Sequence, residues 1–133
     1  MKRIAFLFMM FIILISGCSP SQSSSGASYK QITHEEAKEM MSRDDGHIIV
    51  DIRRQDEYDQ GHIPNAVLIP NESITDKQPE KLPDLNQIIL IYCRSGRRSK
   101  EAAQKLADIG YKNIYEFGGI NDWTGETVKS GAK

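Results

Sequence analysis

The stretch Ile88-Ile89-Leu90-Ile91-Tyr92-Cys93-Arg94-Ser95-Gly96-Arg97-Arg98-Ser99 decides how this chain folds. Its first five residues are large and apolar without alternation, the pattern of a strand covered on both faces, as in a parallel sheet. Its last residue opens a helix expected over 99–109, with Ala102, Leu106 and Ile109 on one face and Gly110 at the C′ position. Between strand and helix lies a tight turn rich in glycine and arginine. Ligands of open parallel sheets bind beyond the carboxyl ends of the strands, and Cys93 stands there.

The turn has the makings of an anion site. A loop at a helix N-terminus directs several backbone N–H groups inward, and the helix dipole adds positive potential. Gly96 permits the left-handed backbone that such a cradle needs. Arg94, Arg97 and Arg98 add forked donors for an oxyanion. Thiolates are favoured at helix N-termini and beside cations, so Cys93 is expected to be an ionised, exposed nucleophile. The bland alternative is an inert buried cysteine with surface arginines around it.

Outward from this stretch, strand and helix signals alternate from Tyr29 onward, which points to βαβ units around a mainly parallel sheet of about five strands, with helices on both faces. Thr33 and Glu36 form a capping box for a helix near 34–42, with Ala37, Met40 and Met41 on one side. Strands are expected at 47–52, 66–69 and 113–117, and a short polar helix at 55–60. Residues 71–86 read as a surface connection with one helical turn. Gly118-Gly119 reads as a turn into a short closing helix containing Trp123, which is assigned to core packing.

The N-terminus is a different kind of sequence. Met1-Lys2-Arg3 precedes an unbroken apolar run, Ile4 to Ile15. As a helix that run covers roughly 18 Å, well short of a ~30 Å hydrocarbon core, so it reads as a signal-peptide core rather than a membrane span. Ile15-Ser16-Gly17-Cys18 follows. Ser19 to Ser28 contains no large apolar residue and reads as a flexible tether, with an end-to-end distance of roughly 18 Å. The expected organisation is a leader at 1–17, Cys18 and tether at 18–28, a domain at 29–128 and a tail at 129–133.

Seventeen basic and 18 acidic residues leave a formal charge of -1, and loss of Lys2 and Arg3 with the leader makes it about -3. That balance excludes a general attraction to nucleic acid or anionic lipid, so any pull on anions is local. Lys100 and Lys105 then read as a basic rim to the arginine turn rather than a nucleic-acid surface.

Two resemblances rest on these residues. Ile15-Ser16-Gly17-Cys18 resembles the lipobox of bacterial lipoproteins, which implies cleavage before Cys18, acylation of that cysteine (palmitate among the chains) and an extracytoplasmic, membrane-anchored protein. Cys93-Arg94-Ser95-Gly96-Arg97-Arg98-Ser99 resembles the active-site loop of single-domain rhodaneses. Val50-Asp51-Ile52-Arg53 with Glu57-Tyr58, Gly61-His62-Ile63-Pro64-Asn65-Ala66 and Ile69-Pro70 matches that family's N-terminal signature. Asn65 stands where a glycine is commoner. Phe117-Gly118-Gly119 with Trp123 resembles its C-terminal element.

The resemblance implies a rhodanese-like α/β fold and a sulfurtransferase of the thiosulfate type. Cys93 would carry the sulfur as a persulfide. Arg94, Ser95, Gly96, Arg97, Arg98 and Ser99 would bind a small sulfur-containing anion as donor, and a thiol or cyanide would accept the sulfur. No cofactor, metal or nucleic acid is implied, and a monomer is expected. Asp51 and Arg53 are candidates either to border the pocket or to form a bracing ion pair, with Arg53 paired to Glu57 in the second case. His62 is expected to be a hydrogen-bonded structural residue rather than a general base. Two rival functions remain. One is a non-enzymatic persulfide carrier or docking module. The other is a cysteine phosphatase or arsenate reductase, whose loops hold one residue more between cysteine and arginine than the four between Cys93 and Arg98.

Overall fold

The computed structural model describes residues 26–131. The leader, Cys18 and most of the tether lie outside them. Five strands form one sheet in the order β1-β5-β4-β2-β3, every adjacent pair parallel. They are β1 (Lys30–Gln31), β2 (Ile48–Asp51), β3 (Val67–Leu68), β4 (Ile88–Cys93) and β5 (Asn113–Gly119). Three helices, α1 (His34–Met41), α2 (Gln55–Gln60) and α3 (Arg97–Ile109), cover its two faces. Among the described residues no helix is long and apolar enough to cross a membrane.

β4 lies at the centre and accounts for the layering. Side chains alternate across a strand. Ile89, Ile91 and Cys93 therefore join Val50 and Ile52 in one core under Ala102, Ala103, Leu106 and Ala107 of α3. Leu90 and Tyr92 point the other way, into a second core with Ile49, Phe117 and Ala37 of α1. With both faces covered, apolar residues are needed at every β4 position, and burial of each large aliphatic contributes about 1.5–3 kcal/mol. At the start of α1 the Glu36 N–H donates to Thr33 Oγ1 (3.2 Å) and the Thr33 N–H donates to Glu36 Oε2 (2.8 Å), the capping box expected from sequence.

Several boundaries differ from the sequence reading. α3 begins at Arg97, two residues early, because Gly96 with φ 102° reverses the chain so sharply that the helix starts at once. The strand of the β4 ladder runs through Cys93, and β5 runs through Gly119, so Gly118-Gly119 extends the sheet instead of leaving it. The closing helix is a single 3-10 turn, Ile120–Asp122, and Trp123 follows it half-buried against the second core. β1 pairs Lys30 and Gln31 with Tyr115 and Glu116. Two exposed polar residues carry no hydrophobic period, which is why the sequence placed no bounds on this strand.

Candidate active site

Cys93 ends β4 opposite Gly119 of β5, at a register irregularity in the ladder. The chain then turns under the N-terminus of α3, and the Gly96 N–H donates to Cys93 Sγ at 2.9 Å. The first N–H groups of a helix have no intrahelical acceptors, and those of Arg97, Arg98 and Ser99 open α3 directly after this turn. Opposite this loop Gly119 leaves space that a side chain would fill. A Cβ there would collide with the Arg94 carbonyl and lie 2.6 Å from Ser95 Cα. The Asn121 N–H donates to Arg94 O at 3.2 Å and ties the loop to the chain beyond β5.

The rear of the loop is held by a buried carboxylate. Glu116, 2% exposed, lies on the α3 side of β5. Its Oε1 accepts from Ser99 Oγ at 2.5 Å and from the Gly118 N–H at 2.8 Å. Ser99 Oγ also lies 3.1 Å from Gly96 O. The Ser99 hydroxyl therefore faces the rear wall.

The front is held by an ion pair between two helices. Arg98, in the first turn of α3, donates to both carboxylate oxygens of Glu57 in α2, each at 2.8 Å. The same Glu57 Oε2 accepts the Arg54 N–H that opens α2, at 3.1 Å. The Arg98 guanidinium, working against partial burial, holds the Glu57 carboxyl down to about 2. Glu57 in turn raises the Arg98 pKa, with a smaller contribution in the same direction from Cys93. Two cavities meet at this pair. One, about 520 Å³, is lined by Arg54, Glu72, Arg94, Ser95, Arg97 and Arg98. The other, about 460 Å³, runs past Arg53, Arg94, Ile120, Asn121 and Trp123. Glu57, Gln60 and Arg94 line both.

Beneath lies the Asp51–Arg53 pair, 0% and 5% exposed. Arg53 donates to both Asp51 oxygens, the shortest contact 2.7 Å, and to Gly61 O at 2.7 Å. Burial opposes the charge on Arg53, but the hydrogen bonds to Asp51 outweigh it and its pKa rises. Asp51 also accepts from the Tyr92 hydroxyl at 2.7 Å. Burial, then the Asp51 charge, pushes the Tyr92 pKa well up, so the phenol stays protonated and donates. His62 Nδ1 lies 2.8 Å from Tyr58 O and its ring stacks on Tyr58, a structural role.

The structure thus brings Arg94, Ser95, Gly96, Arg97 and Arg98 together around Cys93. Asp51 and Arg53 brace each other; Arg53 pairs with Asp51 and not with Glu57, and its flank also lines the second cavity. Exposure of the thiol is the expectation that fails. Cys93 is 0% exposed, beneath its own loop. The sequence reading missed Glu116 and the Glu57–Arg98 pair. A charged residue between Tyr115 and Phe117 in an apolar strand was the available signal for Glu116. Nothing in the pattern links two residues 41 apart. Among the described residues no group of His, Cys, Asp and Glu could hold a metal ion.

A parallel α/β sheet whose central strand ends in a cysteine, followed by an arginine-rich turn into a helix N-terminus, defines the class of domain. The family profile of the rhodanese-like domain matches residues 33–126. Over 96 residues the chain is 35% identical to thiosulfate sulfurtransferase GlpE of Coxiella burnetii, covering 71% of this chain and 87% of that one. It is 31% identical over 80 residues to thiosulfate sulfurtransferase PspE of Escherichia coli, 60% of this chain and 77% of that one. It is also 35% identical over 106 residues to the putative sulfur carrier protein YrkF of Bacillus subtilis. That match takes in 79% of this chain but only 56% of that protein's length. A solved rhodanese-like domain protein from Staphylococcus aureus aligns with a TM-score of 0.62 and 32% identity, covering 77% of this chain and 94% of that one. The chain belongs to the rhodanese-like domain family.

Proposed function

We propose that this protein is a sulfurtransferase that moves a sulfane sulfur from thiosulfate or a persulfide donor to a thiophilic acceptor through a persulfide on Cys93. The observation that carries the reading is the Gly96 N–H aimed at Cys93 Sγ beneath the N-terminus of α3. The Cys93 thiolate attacks the outer sulfur of thiosulfate and a new S–S bond forms. The original S–S bond breaks, and its electron pair leaves with sulfite. Cyanide or a thiolate then attacks the outer sulfur of the persulfide. Thiocyanate or a new persulfide departs, and the Cys93 thiolate is restored. A second sulfur on Cys93 lies where amides of the cradle can solvate its charge, and Arg94, Arg97 and Arg98 draw in the anionic donor.

The short turn supports this over phosphoryl chemistry, because four residues between Cys93 and Arg98 make a ring suited to one sulfur atom. After thiosulfate treatment, the intact mass should gain one sulfur and lose it on addition of cyanide, with thiocyanate released. C93S should abolish both. Phosphate release from an aryl phosphate without thiocyanate formation would overturn the assignment. A second reading, a sulfur carrier that loads but does not turn over, is supported by the sealed thiol and by the name of the Bacillus subtilis relative. It predicts stoichiometric loading with no multiple turnover.

We further propose that the protein is exported and acylated on Cys18. The domain would then work at the outer face of a membrane, about a tether's length away.

A further inference from the structure

Cys93 is sealed, yet the proposed chemistry needs it reached. Beside the loop that covers it stands the charge-assisted bidentate pair between Glu57 and Arg98. It stands where the two cavities meet, since Glu57, Gln60 and Arg94 belong to both walls. It also fastens the first turn of α3, and so the loop over the thiol, to α2. Both side chains are largely buried, at 21% and 14% exposed, where such pairs are strong and little screened by salt.

From this geometry we infer that Glu57 is a specificity-determining latch, which an incoming sulfur oxyanion opens by replacing it as the partner of Arg98. Arg98 must always have an anionic partner, because an uncompensated part-buried guanidinium is costly. With no donor present, Glu57 fills that role and the loop stays shut. A donor with a sulfonate-like group can offer two of its oxygens to the same fork and release Glu57. The cavities then join above the loop, with the donor already held by Arg94 and Arg97. A neutral molecule cannot make this exchange. The site therefore selects oxyanion donors over uncharged electrophiles, and Cys93 is shielded from the latter. The low value held at Glu57 keeps the latch charged across the neutral range, so charge competition opens it and mild acid does not.

This deepens the sulfurtransferase reading and rests on it, but the alkylation arm of its test does not need turnover. Cys93 is alkylated with neutral iodoacetamide in the wild type, E57Q and R98Q, with thermal melts run alongside. Both variants remove the latch, and each should speed alkylation about tenfold, the factor given by about 1.4 kcal/mol of lost closure energy. The KM for thiosulfate should then split: lower in E57Q, which frees Arg98, and higher in R98Q, which removes the donor's fork. A lowered KM requires a folded site and separates unlatching from unfolding. Unchanged alkylation in both variants, or a KM that rises in both, would overturn the latch. Faster alkylation with no thiosulfate turnover even in the wild type would retire the sulfurtransferase reading and leave the latch standing.

Discussion

Gly119 shows how little freedom the loop around Cys93 has. It is needed for closeness rather than for an unusual backbone, since its φ of -127° is ordinary extended chain. The Arg94 carbonyl and Ser95 Cα fill the place a side chain would take, and both are backbone atoms that cannot rotate away. Gly119→Ala should therefore displace the loop from β5 and cost about 1–3 kcal/mol, the usual penalty of overpacking. Chemical denaturation would measure the loss. Persulfide formation should fall further than stability does, because the cradle itself is what moves. Gly46→Ala, at a turn with nothing within 4 Å of its Cβ, is the comparison, and it should carry only the strain of a positive φ.

The contacts that matter between elements are ionic and join helices otherwise separated by the loop. α2 is only Gln55–Gln60, with no buried residue. A helix this short is held by tertiary contacts and not by its own propensity. Tyr58, packed on the second core and donating to Ala66 O at 2.7 Å, is one such contact; the Glu57–Arg98 pair is another, and it has a pH signature. The Glu57 carboxyl is depressed in the folded protein from 4.5 to about 2, chiefly by the Arg98 guanidinium. A depressed carboxyl contributes its full stability above the unfolded value and loses it as pH falls through the folded one. Acid titration from pH 4.5 toward 2 should lower the denaturation midpoint, and R98Q should flatten that slope. An equal slope in R98Q would mean that other carboxylates dominate acid unfolding. At the rear, a hydrogen bond from the Ser99 hydroxyl to Glu116 joins α3 to β5 between two buried side chains.

For the molecule as a whole, the all-parallel sheet sets one carboxyl edge, and the candidate site lies there. The N-terminal chain enters across α3, where Gln104 donates to Ala27 O at 2.8 Å. Expressed at full length in a bacterial host, the protein should sediment with membranes, and Cys18→Ala should shift it to the soluble fraction while Cys93 still accepts sulfur. Wild-type protein that is soluble after export would sink the anchoring proposal.

The sequence by itself determined what depends on runs and periods. An unbroken apolar strand, a Gly- and Arg-rich turn and an amphipathic helix were enough to place Cys93 at the carboxyl edge of a parallel α/β sheet. Loop and signature residues carried the family. Only the tertiary structure decided which charges meet. Arg53 turned to Asp51 beside it, while Glu57 reached across 41 positions to Arg98 and Glu116 closed the rear of the loop through Ser99. Hydrophobic patterning is periodic along the chain and can be read locally, whereas the partner of a charge is set by which strands and helices lie side by side. The sealing of Cys93 belongs to the second kind, because the sulfur packs in the core beneath α3 and under its own loop.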